Sequence, residues 1–217
     1  MQALNVWRVA ACFGMALAAS PASAVLITFD DLAGMSNAPG AAVPVASQLS
    51  DQYLSSGVRF GSGSAFVAVV NLTSSGPNHA ITNPNGIGGV SGAGTLSYGT
   101  PITMSFFDVL TGNPGVTDAV SIRGDQIAIA GTATLTAFGL DGSLLGSATA
   151  NDVNGGLTLS LALAGIHRVT LSETSATIAF DNFFFNTPVG PVRVPEPSSV
   201  LLVGIGVLGL LGARRRR

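Results

Sequence analysis

Residues 132–149 read TATLTAFGLDGSLLGSAT. Thr134, Thr136 and Phe138 alternate with Ala133, Leu135 and Ala137, the period of two that a half-buried strand requires. Asp141-Gly142 is a strong hairpin signal, because the two positions of a tight turn favour residues that tolerate positive φ. A second strand follows over Leu144 to Thr149. The segment therefore predicts two antiparallel strands.

The same rhythm extends in both directions. Downstream, Asn154-Gly155-Gly156 turns the chain into the strictly alternating Leu157-Thr158-Leu159-Ser160-Leu161. Val169 and Leu171 mark the next strand, and Ile178 to Phe185 closes the series. Upstream, Val120 with Ile122, Ile102 with Met104 and Phe106, Val58 with Phe60, and Ile27 with Phe29 show the same spacing. Phe66 to Leu72 is a continuous apolar run, as in a strand covered on both faces. No helical stripe is sustained; a turn or short helix fits only near Ser47 to Ser55. The prediction is an all-β antiparallel sandwich, jelly-roll-like, over residues 25–186. Ser74 to Thr100, rich in glycine with Pro77 and Pro84, reads as a long surface loop. Residues 187–194, with Pro188 and Pro191, read as a stiff Pro-rich spacer.

Composition narrows the function. Only 9% of the 217 residues are charged, and there is no lysine. Between the chain ends stand Arg59, Arg123, Arg168 and Arg193 against nine aspartates and Glu173. A mildly acidic body argues against nucleic acid, whose phosphates need clustered basic charge.

Residues 1–24 have the form of a signal peptide. Arg8 supplies the positive region, Val9 to Ala19 the apolar region, and Ala22-Ser23-Ala24 the cleavage site. The mature chain then begins at Val25. A rival lipobox reading of Val9-Ala10-Ala11-Cys12 places Cys12 too early in the apolar region. Loss of Cys12 leaves no cysteine, which removes disulfides, thiolate catalysis and Cys-ligated zinc.

The other end reads Val194-Pro195-Glu196-Pro197-Ser198-Ser199, an uncharged run from Val200 to Ala213, then Arg214, Arg215, Arg216 and Arg217. The prolines break any continuing helix. The apolar run suits a membrane, and the arginines favour its cytoplasmic side. Ser198 to Ala213 is 16 residues. That makes roughly 24 Å of helix against a hydrocarbon core of about 30 Å, a short transmembrane helix. On these grounds a plain tail anchor and a processed sorting tail both stand.

Pro195-Glu196-Pro197, the apolar helix and the arginine cluster resemble the PEP-CTERM sorting signal of Gram-negative bacteria. The resemblance implies an exosortase as partner, a membrane-embedded, cysteine transpeptidase-like enzyme of species that make extracellular polysaccharide. It implies export across the inner membrane, transient anchoring with a cytoplasmic C-terminus, then release to the cell surface. The body, over Leu135 to Leu171 and Phe180-Asp181-Asn182-Phe183, resembles those of other PEP-CTERM proteins and some carbohydrate-binding sandwiches.

Three groups of residues bear on chemistry. Asp30 and Asp31 follow the first strand, and Asp181 lies in the last; if those strands are neighbours, their oxygens suit a structural Ca²⁺. The competing reading has Asp30 and Asp31 starting a turn and Asp181 at a bulge or edge. Asp152-Val153-Asn154-Gly155-Gly156 lacks the later ligands of an EF-hand and reads as a turn. His79 and His167 form no recognisable pair, and Gly89-Val90-Ser91-Gly92-Ala93 departs from a nucleophile elbow in its last residue. Glu173 is the body's sole glutamate. For glycan contact the 74–100 loop offers Asn83 and Tyr98, and Phe183-Phe184-Phe185 must place at least one ring on each sheet face. The expected role is a non-catalytic envelope or extracellular-matrix protein associated with exopolysaccharide. A lectin-like glycan-binding module and an Asp-based polysaccharide hydrolase are the alternatives.

Overall fold

A computed structural model describes residues 23–61, 65–73, 84–126, 131–152 and 156–191. The expected leader up to Ala22, the sorting tail, His79 and Asn83 lie outside the described residues. So do Val192, Arg193 and Val194 of the spacer.

In chain order the strands are β1 (Ala24–Ile27), β2 (Met35–Ser36), β3 (Gln48–Leu49), β4 (Val58–Phe60), β5 (Val67–Asn71), β6 (Asn85–Gly88) and β7 (Ile102–Phe106). They continue with β8 (Thr117–Gln126), β9 (Thr132–Phe138), β10 (Leu144–Asn151), β11 (Leu157–Ile166), β12 (Arg168–Glu173) and β13 (Ile178–Asn186). The expected short helix near 47–55 resolves into two 3-10 turns, Val45–Ser47 and Leu54–Ser56, on either side of β3.

The described strands form two sheets. One has eight strands in the order β11-β8-β13-β6-β5-β2, with β1 also on β13 and β3 on β5; the other runs β10-β9-β12-β7-β4. The hairpin read from residues 132–149 is present, with Thr136 opposite Ser147 and Thr132 opposite Asn151. The first and last strands lie side by side, Ile27 opposite Phe183.

Period-two alternation builds the core. In β9, Ala133, Leu135 and Ala137 are buried, while Thr134, Thr136 and Phe138 face outward. Between the sheets an aromatic file runs from Phe29 to Phe60 (centroids 5.6 Å apart), Phe60 to Phe183 (5.8 Å) and Phe106 to Phe185 (5.3 Å). Such ring pairs add to the burial of large apolar area. A bulge in β13 between Asp181 and Phe184, with Asn182 at φ 51, sets which phenylalanine points where. Phe183 and Phe185 enter the core, and Phe184 emerges on the outer face.

The 74–100 reading is corrected in its second half. β6 is fully buried and pairs with β5 and β13. Around it a second apolar cluster forms on the outer face of the eight-stranded sheet, joining Met35, Val43, Ala68, Val70, Leu96 and Tyr98. β5 therefore buries both faces, Val67 and Val69 in the main core and Ala68 and Val70 in this cluster. Glycines permit the approach: a Cβ on Gly86 would meet Leu72 Cδ1 at 2.7 Å, and one on Gly88 would meet the Tyr98 ring at 2.8 Å.

The spacer is corrected too, over its described part. Thr187 hydrogen-bonds the Ser23 carbonyl, buried Pro188 packs against Gly57, and Val189 bridges Val116. Residues 187–190 are a strap fastened to the body, with partners at Ser23, at Gly57 and in the 107–116 segment.

Candidate functional site

The second cluster covers the β6-β5-β2 half of the outer face and reaches β13 at Ala179, beside the buried Asp181. Over β11, β8 and the Phe184 end of β13 that face is open. Strand register sets its rows: Ser160 opposite Ser121, Ser121 opposite Phe184, Phe184 opposite Leu26. The next row brings Thr158 opposite Arg123 and Arg123 opposite Asp181. Ala119, Ser121, Ser160, Leu161, Ala162 and Phe184 line a shallow depression of about 350 Å³. It combines a half-exposed ring, an exposed aliphatic flank at Leu26, two hydroxyls and, one row away, the exposed guanidinium of Arg123. An aromatic face with nearby hydrogen-bonding groups has the chemistry to bind a polyhydroxylated ring.

The calcium candidates sit at the start of the covered half. Asp30 Oδ1 accepts the backbone N–H of Asn85 at 3.0 Å, and Asp31 accepts the hydroxyl of Tyr53. Asp181 is fully buried, and its Oδ1 accepts the Asn182 N–H at 2.6 Å. Burial chiefly, then the hydrogen bond to Asp31 and the charges of Asp31, Asp30 and Asp181, push the Tyr53 hydroxyl far above its ordinary pKa. All three carboxylates thus act on one phenol. Among the described residues no three His, Cys, Asp or Glu side chains converge closely enough to hold a metal.

Asn85 ties this corner together and was not singled out by sequence reasoning. Its Nδ2 donates to the carbonyls of Phe29 (3.2 Å) and Leu32 (2.8 Å), and its Oδ1 is buried without a donor. Those donations satisfy a loop that Phe29 enters at φ 60. For a Ca²⁺ ion, Asp30, Asp31, Asp181 and the unpaired Asn85 Oδ1 are the oxygens of suitable chemistry; the two carbonyls are already engaged.

Tyr98 is corrected as a glycan contact. It is 3% exposed, its hydroxyl donates to the Asn37 carbonyl, and no ring face is open to a sugar. Burial raises its pKa as well. His167 lies between β11 and β12 with Nδ1 2.9 Å from the Gly115 carbonyl, a structural contact. Ser91 pairs with Thr95 Oγ1 at 2.7 Å in a turn, so no nucleophile elbow forms. Glu173 Oε2 accepts from the Ser175 and Ala176 N–H groups and caps a turn. Ala24 of the expected cleavage site is the first residue of β1, opposite Asn186.

Fold and tail together define an all-β, two-sheet body on a chain with a sorting address. The PEP-CTERM protein-sorting motif matches residues 193–217, so the chain carries the motif by which exosortase systems send proteins to the cell surface. No curated protein matches the chain. Among solved structures, a DUF4465 family protein from Bacteroides caccae is similar with a TM-score of 0.46 and 16% identity, over 75% of this chain and 98% of that one. A family 6 carbohydrate-binding module gives a TM-score of 0.32 and 18% identity, over 59% of this chain and 86% of the module. A family 29 carbohydrate-binding module gives 0.31 and 12%, over 81% and 98%. None of these likenesses assigns an activity to this chain.

Proposed function

We propose that the protein is a non-catalytic surface or matrix component that binds extracellular polysaccharide through the open face around Phe184. Residues 1–24 direct it across the inner membrane, the short apolar run holds it there with Arg214 to Arg217 on the cytoplasmic side, and an exosortase processes the tail. The observation that carries the binding role is Phe184: β13 turns its middle ring outward between Ser121 and Leu26 instead of into the core. Three of the described carboxylates favour a non-enzymatic reading, because they accept from donors close in sequence: Asp141 from Ser143, Asp108 from Leu110 and Thr111, and Glu173 from Ser175.

Glycan-array binding of protein recovered from the cell surface tests the face. Phe184→Ala should weaken binding about tenfold, or ~1.4 kcal/mol, with melting nearly unchanged. Phe184→Tyr should retain it. Binding unaffected by Phe184→Ala would move the site elsewhere, and turnover of a polysaccharide abolished by one Asp→Asn change would make the protein an enzyme. Mass spectrometry of the same material should find Arg217 absent; its presence would remove the processing step.

A further inference from the structure

We infer that the end of the sandwich from which both chain termini leave is a lipid-facing surface, resting on the outer leaflet of a zwitterionic membrane while the tail is anchored. The inference rests on the anchoring proposed above.

Strand register defines that end. In the five-stranded sheet Val58, Phe106 and Phe138 reach the same level, because Val58 faces Phe106 and His167 links the Phe106 N–H to the Phe138 carbonyl. In the other sheet Ile166 faces Thr117 and Ala24 faces Asn186. The turns beyond these residues, 107–116 and 139–144, and the strap therefore stand at the same end of the sandwich. They are also where the exposed apolar side chains concentrate. Of seven large hydrophobics exposed among the described residues, Val109, Leu110, Leu140, Leu144 and Val189 lie in these segments. Leu26 is two residues along β1, and Val45 alone sits in another turn. Leu110 is 91% exposed. Beside it an apolar groove of about 450 Å³ is walled by Val109, Val116, Ala164, Pro188 and Val189. A clustered apolar surface of this kind marks an interaction site.

Tether length selects the occupant. The strap fastens the chain through Gly190, whose N–H hydrogen-bonds Asp108. From Pro191 to the apolar run at Val200 is nine residues, a reach of at most about 30 Å fully extended. This end is therefore the part of the body held nearest the bilayer. Two guanidiniums stand one level in from it: Arg168 lies over Phe138 at 4.3 Å, and Arg59, paired with Asp51, lies over Phe107 at 5.0 Å. Cations at that height meet lipid phosphates when apolar tips enter the interface. Asp51 is paired with Arg59, the other acidic groups here, Asp108, Asp118 and Asp141, are engaged with Leu110, Asn186 and Ser143, and together they disfavour a strongly anionic membrane.

The test uses the full chain in a Trp7→Phe background, since Trp7 is the only tryptophan. Leu110→Trp and, separately, Val45→Trp are reconstituted into phosphatidylethanolamine–phosphatidylcholine vesicles with brominated acyl chains. Flotation reports the anchor. Indole emission reports depth, at a burial of about 5–10 Å for an interfacial contact. Leu110→Trp should float, shift to the blue and lose most of its emission, and Val45→Trp should float unquenched. Failure to float would defeat the anchoring and this inference with it. Flotation with both indoles equally exposed would leave the anchoring intact and overturn the inference. Protection appearing only after an exosortase is added would overturn it equally and assign the surface to that enzyme.

Discussion

Thr187 donates both its backbone N–H and its hydroxyl to the carbonyl of Ser23, each at 2.7 Å. One residue of the strap thus closes β1 against β13 at the exit. The proposed cleavage after Ala24 would delete the acceptor of both bonds. Thr187→Val should therefore cost about 1 kcal/mol in a chain that keeps Ser23 and close to nothing in one beginning at Val25. Denaturant melts of the two chains, each with and without the substitution, give the comparison; equal losses in both would show that the hydroxyl acts through another partner.

Among the described residues Asp30, Asp31 and Asp181 do not converge on a metal site, and each carboxylate accepts a hydrogen bond from Asn85, Tyr53 or Asn182. Thermal transitions in calcium and in chelator should therefore superimpose. A saturating ion bound to the folded state would instead raise the melting temperature by about 5 °C for a domain of this size. A rise of that kind, abolished by Asp181→Asn, would restore the calcium site.

Both tyrosines of the chain are held neutral by burial, with Asp31 adding to the effect at Tyr53. A hydroxyl whose folded pKa is raised contributes stability that is present below its unfolded pKa near 10. That stability declines as pH rises from there toward the folded pKa. Spectrophotometric titration should show no free tyrosine ionisation near pH 10, and phenolate should appear together with alkaline unfolding. A smooth two-group titration near pH 10 in protein still folded by circular dichroism would contradict this.

Gly88→Ala should destabilise the body by about 1–3 kcal/mol, since the added methyl overlaps the Tyr98 ring and Leu96. Adding Tyr98→Leu should recover part of the loss by making room. Thermal melts of the single and double variants decide it, and a neutral single variant would mean that the second cluster is loosely packed.

The main sheets were legible because their strands alternate: Leu135, Leu159 and Met104 stand on core-facing phases and are buried. Asn85-Gly86-Ile87-Gly88 was not, because its burial comes from Leu72, Tyr98 and Phe180 pressing on backbone, and a strand that contributes so little side chain reads as a loop. Parity required one ring of Phe183-Phe184-Phe185 to face outward; which ring depended on the bulge at Asn182, a backbone feature with no side-chain period. The strap was misread for a related reason. Pro188 and Val189 look like spacer until Gly57 and Val116 arrive from distant segments.

The position of β13 also governs when the protein can close. It lies between β8 and β6 and carries β1 along its length. Until it is added, the eight-stranded sheet exists only as two separate halves with the opening strand unpaired. Pairings this distant in sequence form slowly, because loop-closure entropy precedes their reward. The strand on which the larger sheet depends is also the last in the chain, so that sheet closes only after every other strand has been made.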